Sequence, residues 1–229
     1  HVGCDSSFSW GSKWGHLAKH EDIDTIVKKM DMVKWYGWKG PGGVGGDLSQ
    51  CILQNDGVHL VITGGEPLLK GFQPALRELI YHPDVFTRFV TFETNGTQIF
   101  TPDNSVEYIR KFGVNKNSGI TWSVSPKLSN SGEKWEEAIR PEALASYNAW
   151  PYSYLYLKFV VRDEEDMKEV HEAVRAYDHA RVNIDAVYLM PETGPHGMYD
   201  YEVAQMAMKY GYKFSPRLQI NLFGNEWGT

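Results

Sequence analysis

The sequence predicts an α/β fold around a mainly parallel sheet, and three observations carry that expectation. From residue 59 onward, short β-rich runs alternate with helix-patterned segments, which is the signature of repeated βα units. The helical segments are of moderate length, as suits helices packed on a barrel or an open sheet. With 229 residues and 42% hydrophobic content the chain can bury one sizeable core, which favours a single domain over 1–229.

Six strands are expected in order. The apolar run His59–Thr63 ends in Gly64-Gly65 and is followed by Phe89–Glu93, Ile120–Ser125, Tyr154–Val161, Ala186–Met190 and Leu218–Phe223. Between the fourth and fifth, Glu165–Tyr177 sets Met167, Val170, Val174 and Tyr177 at spacings of three and four, one apolar stripe with charged residues opposite it. Weaker patterns of the same kind occur at Pro74–Ile80, Val106–Phe112, Glu136–Tyr147 and Tyr201–Tyr210. The glycine-rich stretch Gly40–Gly46 has no Lys-Ser/Thr pair after it and no clear strand before it, so it reads as a flexible connector rather than a phosphate loop.

Composition excludes several classes of function. A formal charge of −6, from 23 Lys and Arg against 29 Asp and Glu, gives no field that would gather a polyanion, so nucleic acid is not expected as a direct substrate. No apolar run approaches the roughly 20 residues of a membrane span, and no basic segment leads into an apolar one at the start; a soluble, cytoplasmic protein without a membrane partner is expected. Cys4 and Cys51 cannot form a disulfide framework for a domain of this size, nor alone hold a cluster or a structural zinc. Cys51 lies in the apolar setting of Leu48 to Leu53, where an inert buried thiol is expected. His16 and His20 have the i, i+4 spacing of a zinc pair if their segment is helical, but no third ligand accompanies them and a solvated surface pair is the alternative. Trp35, Tyr36 and Trp38 suit a stacking pocket, a core or an interface equally.

Chemistry-bearing residues collect at the ends of the strands, where parallel α/β folds place their sites. The first strand runs into Thr63-Gly64-Gly65-Glu66-Pro67, in which two glycines allow close backbone approach, the glutamate accepts hydrogen bonds and the proline fixes the exit. The second ends in Glu93-Thr94-Asn95-Gly96, the third in Ser125-Pro126-Lys127. Each alone reads as a tight turn. Together they place acceptors at Glu66, Glu93 and Asn95, hydroxyls at Thr63 and Ser125 and a cation at Lys127 along one rim, and that series points to a shared ligand site.

These motifs carry a resemblance. Gly-Gly-Glu-Pro after a strand is similar to the S-adenosylmethionine (SAM)-binding motif of radical SAM enzymes, and the Glu93 to Gly96 and Ser125 to Lys127 turns resemble their 7-carboxy-7-deazaguanine synthase branch. Cys4-Asp5-Ser6, with Trp10 a few residues on, agrees with that family's last cluster cysteine. The resemblance runs from Cys4 to the Arg217–Ile220 segment and the Gly224–Thr229 tail. It implies an incomplete TIM-like βα barrel of the radical SAM type, and ring contraction of 6-carboxy-5,6,7,8-tetrahydropterin to 7-carboxy-7-deazaguanine with release of ammonia, in queuosine and deazapurine biosynthesis. It also implies a [4Fe–4S] cluster, SAM and Mg2+ as cofactors, a flavodoxin or ferredoxin as reductant, and a homodimer. In that family three thiolates hold three irons and leave the fourth to chelate SAM.

Matched position by position, the resemblance gives Cys4 as a cluster ligand and Ser6 as the Mg2+ ligand. It gives Gly64, Gly65, Glu66, Glu93, Ser125, Pro126 and Lys127 to SAM, together with Met190, Pro191, Glu192 and Thr193. Thr63 matches a substrate contact, Gln219 lies where relatives carry a substrate-facing His, and the Thr229 carboxylate resembles a terminal group that reaches the pterin.

The match departs at the cluster loop, which in the family spaces three cysteines as C-x3-C-x2-C. His1-Val2-Gly3 resembles the spacer before the second cysteine, whereas Asp5-Ser6 makes Cys4 the third. Either residues are missing between Gly3 and Asp5 or the loop diverges. Because the chain opens at His1 without a methionine, the expectation is that it lacks the family's first strand and part of the cluster loop. Two other readings stay open: another radical SAM activity of the activase kind, since the SAM motif is shared across that superfamily, and a cluster-free binding or regulatory protein on the same scaffold, which the missing cysteines support.

Overall fold

A computed structural model describes residues 19–37, 59–85, 87, 89–103, 119–192 and 200–218. Helix α1 (Ile23–Gly37) opens the described chain. The Asp22 carboxylate accepts from the Thr25 amide at 2.8 Å and its hydroxyl at 2.9 Å, so the first turn is capped by a side chain, and these hydrogen bonds hold the Asp22 carboxyl below its ordinary range. Ile23 and Val27 then pack one helical turn apart against Leu79 and Val85. The helix was not expected, although Asp22 followed by Ile23, Ile26, Val27 and Met30 has both the cap and the spacing of one. His20 precedes it in non-helical backbone, so the helical premise of a His16/His20 zinc pair is not met.

Strands β1 (His59–Ile62), β2 (Phe89–Thr94), β3 (Gly119–Val124), β4 (Ser153–Val161), β5 (Ala186–Pro191) and β6 (Lys213–Phe214) form one sheet in the order of the sequence. Every adjacent pair is parallel. Consecutive order without a reversal is the winding of a (β/α) barrel rather than of a doubly wound sheet, and among the described residues the arc is open, as an incomplete TIM-like barrel requires. The crossovers carry α2 (Gln73–Tyr81), the short α3 (Trp135–Ala138), α4 (Pro141–Asn148), α5 (Glu164–His179) and α6 (Asp200–Tyr210). Among the described residues no helix is long and apolar enough to cross a membrane.

Side-chain alternation divides the sheet into two faces. Val90, Phe92, Ile120, Trp122, Leu155, Leu157 and Phe159 are buried in one cluster with Leu144, Tyr147, Met167, Val170, Tyr177 and Val203 of the helices. The opposite, inner face carries His59, Thr91, Glu93, Thr121, Ser123, Tyr156, Lys158 and Tyr188, which is far more polar. Aromatic rings fill the helix side: Trp122 stacks on Phe92 at 4.9 Å and on Tyr147 at 4.5 Å, and Phe100 stacks on Trp150 at 5.1 Å. Helix α4 is also stitched to two distant loops. Tyr147 donates to the Gln98 carbonyl at 2.6 Å, Trp150 Nε1 to the Phe100 carbonyl at 2.7 Å, and Asn148 exchanges two hydrogen bonds with the Asn183 backbone.

Two expectations are corrected. The single helix Glu136–Tyr147 is two, because Pro141 has no amide hydrogen to donate and its ring drives Arg140 out of the helical region, to φ −122° and ψ 82°. Leu218, the only described residue of the expected strand Leu218–Phe223, has helical backbone; the last described strand is Lys213–Phe214, which follows α6 after Gly211 at φ +71°. The expected helix Val106–Phe112 and the connector Gly40–Gly46 lie outside the described residues. At α5 the helix begins one residue before the expected Glu165, because the Asp163 carboxylate accepts from the amides of Glu165 and Asp166.

Phe92 is fully buried between two aromatic neighbours. Phe92→Ala is expected to cost about 3–5 kcal/mol in urea unfolding, whereas Met208→Ala, at a position 74% exposed, changes stability by no more than about 0.5 kcal/mol.

Candidate functional site

Because all six strands run the same way, their C-terminal ends share one rim. Thr63 to Glu66 follow β1, Glu93 is the penultimate residue of β2, Ser125 to Lys127 follow β3, Met190 and Pro191 end β5, and Glu192 follows it. The sheet therefore brings these sequence-predicted residues to one side of the molecule. Cys4, Ser6, Thr193, Gln219 and Thr229 lie outside the described residues, as does Cys51. Among the described residues no three or more His, Cys, Asp and Glu side chains gather as a metal site would require.

Glu66 organises the first half of the rim. One carboxylate oxygen accepts from the Leu68 amide at 3.0 Å and the Thr94 hydroxyl at 2.8 Å; the other accepts from the Asn95 amide at 2.8 Å. A single side chain thus ties the turn after β1 to the turn after β2. Burial pushes the Glu66 carboxyl above its ordinary range, against the three hydrogen bonds and the Lys127 charge, which favour ionisation. The second turn is closed from within: Thr94 Oγ1 accepts from the Gly96 amide at 3.1 Å, and Asn95 Oδ1 accepts from the Thr97 amide at 3.0 Å and its hydroxyl at 2.7 Å. Gly96 sits at φ +80°, and a Cβ there would come within 2.7 Å of Val124 Cγ1, so only glycine fits. The third turn is anchored by the Ser125 amide, which donates to the Thr94 carbonyl at 2.8 Å.

Gly64 is different. It is exposed at φ +141°, and a Cβ built on it meets nothing within 4 Å among the described residues. Its backbone faces open space, where a ligand can approach the turn closely.

On the inner face, Thr63 Oγ1 donates to Glu93 Oε2 at 3.1 Å, and the Lys158 ammonium of β4 stands 3.6 Å from Glu93 Oε1. Beyond them Met190 Sδ accepts from Arg217 Nε at 3.3 Å, and Glu192 pairs with Arg162 at 3.5 Å. Arg162 also donates to the buried Asp166 from its amide and its guanidinium. Burial would raise the Asp166 carboxyl, but the hydrogen bonds from Arg162 and Asn130 outweigh it and hold the group below its ordinary range.

Sequence reasoning missed Thr94, Lys158 and Arg217. The signal for Lys158 was present: it shares the inner face of β4 with Tyr154, Tyr156 and Val160, and it is the one charged residue in that nine-residue strand.

The chain is 32% identical to the 7-carboxy-7-deazaguanine synthase of Halobacterium salinarum over 191 residues, covering 73% of this chain and 65% of that protein. It is 32% identical to the enzyme of that name from Pyrobaculum aerophilum over 178 residues, covering 74% and 67%, and 31% identical to the one from Hyperthermus butylicus over 184 residues, covering 76% and 69%. The chain thus spans 65% to 69% of these relatives' length. No family model matches the sequence, and no solved structure matches it.

Two outcomes follow from the Glu66 clamp. Thr94→Val removes a hydroxyl that both donates to Glu66 and accepts from Gly96, and is expected to cost about 1–3 kcal/mol in urea unfolding. Because the folded-state value of Glu66 is raised, its contribution to stability is fully present below the ordinary 4.5 and is lost as pH rises through the folded value. Unfolding midpoints taken across that window are expected to shift in favour of Glu66→Gln as pH rises, since the amide does not titrate.

Proposed function

The chain belongs to the 7-carboxy-7-deazaguanine synthase family, and on that premise we propose that it converts 6-carboxy-5,6,7,8-tetrahydropterin to 7-carboxy-7-deazaguanine with release of ammonia, as a radical SAM lyase. The similarity to named synthases over about three quarters of the chain is the observation that carries this reading. The rim supports it from the chemistry of its donors.

SAM fits what the rim offers. The open backbone at Gly64, with Gly65 beside it, admits close approach of its amino-acid end, the Ser125 hydroxyl and the Lys127 ammonium complement its polar groups, and Glu93 offers a carboxylate acceptor. Glu66, also assigned to SAM, accepts three hydrogen bonds from the protein, which hold the glycine turn in shape for the ligand. Pro191 and Glu192 close the far side of the rim, where the Glu192 amide donates to the Val161 carbonyl at 3.1 Å and fixes the turn. Thr63 is assigned to the pterin, beside Glu93.

The cluster and Mg2+ are assigned to the N-terminal segment, at Cys4 and Ser6. Bound there, a reduced cluster and SAM would supply one-electron chemistry; loss of ammonia with ring contraction is redox-neutral overall, so a hydrogen atom taken from the substrate would have to be given back. What the described residues contribute is binding, orientation and exclusion of water on the inner face of the sheet. Gln219 and Thr229 complete the proposed pterin contacts, Met190 and Thr193 those of SAM. A flavodoxin- or ferredoxin-like reductant, a homodimer, a cytoplasmic location and a place in queuosine or related deazapurine synthesis belong to the same proposal.

The count of two cysteines favours one other reading, a cluster-free protein that retains the ligand rim. Anaerobic incubation of the reconstituted full-length protein with reductant, SAM, Mg2+ and 6-carboxytetrahydropterin separates the two. The expected result is bound iron and 7-carboxy-7-deazaguanine by mass spectrometry, formed only when SAM is present. Neither iron nor product, with SAM still bound, would establish the cluster-free protein instead.

A further inference from the structure

The inner face holds an ion pair that spans three strands. The strand registers set Glu93 of β2 level with Ser123 of β3 and Tyr156 of β4, and Lys158 one step further along β4, level with Tyr188. To come within 3.6 Å of Glu93 Oε1, the lysine side chain reaches back across β3. Thr63 holds the other carboxylate oxygen from β1. On β3 between the two charges, the Ser123 hydroxyl is buried and has no hydrogen-bond partner among the described residues.

Stability does not account for this arrangement. Strands in the middle of a parallel sheet are normally apolar on both faces, and an ammonium placed there loses hydration that a leucine or methionine would not. The pair that compensates is too long for a hydrogen bond and partly solvated, with Lys158 21% and Glu93 44% exposed, a setting in which ion pairs contribute little. The geometry instead fixes the carboxylate. With one oxygen held by a hydroxyl and the other facing a cation, Glu93 is oriented from both sides, and its exposed part faces the space enclosed by the sheet.

We propose that Lys158 is a positioning residue: held against Glu93 across β3, it keeps that carboxylate aimed at the hydrogen-bond donors of a ligand bound on the inner face. The inference rests on the synthase reading for the identity of the ligand. Two molecules of that reaction present suitable donors, the ribose hydroxyls of SAM and the amino and ring N–H groups of the pterin. The chemistry they share is a neutral donor pair received by a fixed carboxylate.

The test uses the full chain with Lys158→Met, Lys158→Arg, Glu93→Gln and the double variant Lys158→Met/Glu93→Gln. Dissociation constants for SAM and for 6-carboxytetrahydropterin are measured separately by equilibrium dialysis, alongside thermal midpoints and anaerobic kcat and KM. Lys158→Met is expected to weaken one of the two ligands by roughly tenfold while leaving the other, and the thermal midpoint, near wild type. The ligand that weakens identifies the donor that Glu93 receives. On the Glu93→Gln background the same substitution is expected to add less than about twofold, because the two residues act through one contact. Lys158→Arg, which keeps the charge, is expected to restore most of the affinity.

Wild-type affinity for both ligands in Lys158→Met would overturn the proposal, and so would a loss of equal size on both backgrounds. Should Lys158→Met fail to fold, wild-type affinities in both Lys158→Arg and Glu93→Gln would overturn it equally. A wild-type protein that binds ligand without forming product defeats the synthase reading and leaves these binding arms intact; one that binds neither ligand defeats both.

Discussion

Parallel pairing of consecutive strands is the constraint on which the rest of this structure depends. A parallel neighbour cannot be reached by a tight turn, so each connection must leave the C-terminal end of one strand and travel back along the sheet before the next begins. Two consequences follow. The return segments bury one face, which is why the aromatic residues gather there. The departure points align, so Thr63, Glu93, Ser125 and Met190, scattered in the sequence, come to one rim.

Alignment alone does not shape a site, because turns that leave a sheet are free to splay. Here the splay is limited by groups that point inward to the protein. Glu66 holds the first turn to the second, and the Thr94 carbonyl holds the second to the third through the Ser125 amide. The resulting chain of contacts is polar, partly buried and continuous, so a disturbance at Thr94 reaches three turns. Gly64 stands outside it. Its backbone is exposed among the described residues and open to approach.

Most of this was legible in the sequence, and the misses have physical reasons. The five longer strands and the α5 stripe could be read because periodicity reports burial directly, and the rim residues because their turns follow strands at once. The break at Pro141 was readable too, but apolar spacing on both sides of it imitates one helix. Strand Lys213–Phe214 is too short to show a period. Glu66 shows a different limit. Sequence places a glutamate at the rim but cannot tell whether its oxygens face a ligand or the neighbouring turn, since that depends on Thr94 and Asn95, which lie close only in the fold. Lys158 stands out as the one charge in its strand, but its pairing with Glu93, two strands away, is visible only in the fold.

The stitching of α4 bears on how the molecule comes apart. Its eight residues hold the chain after β2 through Ser146, Tyr147 and the adjoining Trp150, and the chain before β5 through Asn148. Neither segment can open without breaking contacts to the same short helix, so the two belong to one cooperative unit. A fluctuation that frees α4 exposes the amides of Phe100 and Asn183 in the same event, and a protease that reaches one of these segments by that route gains access to the other.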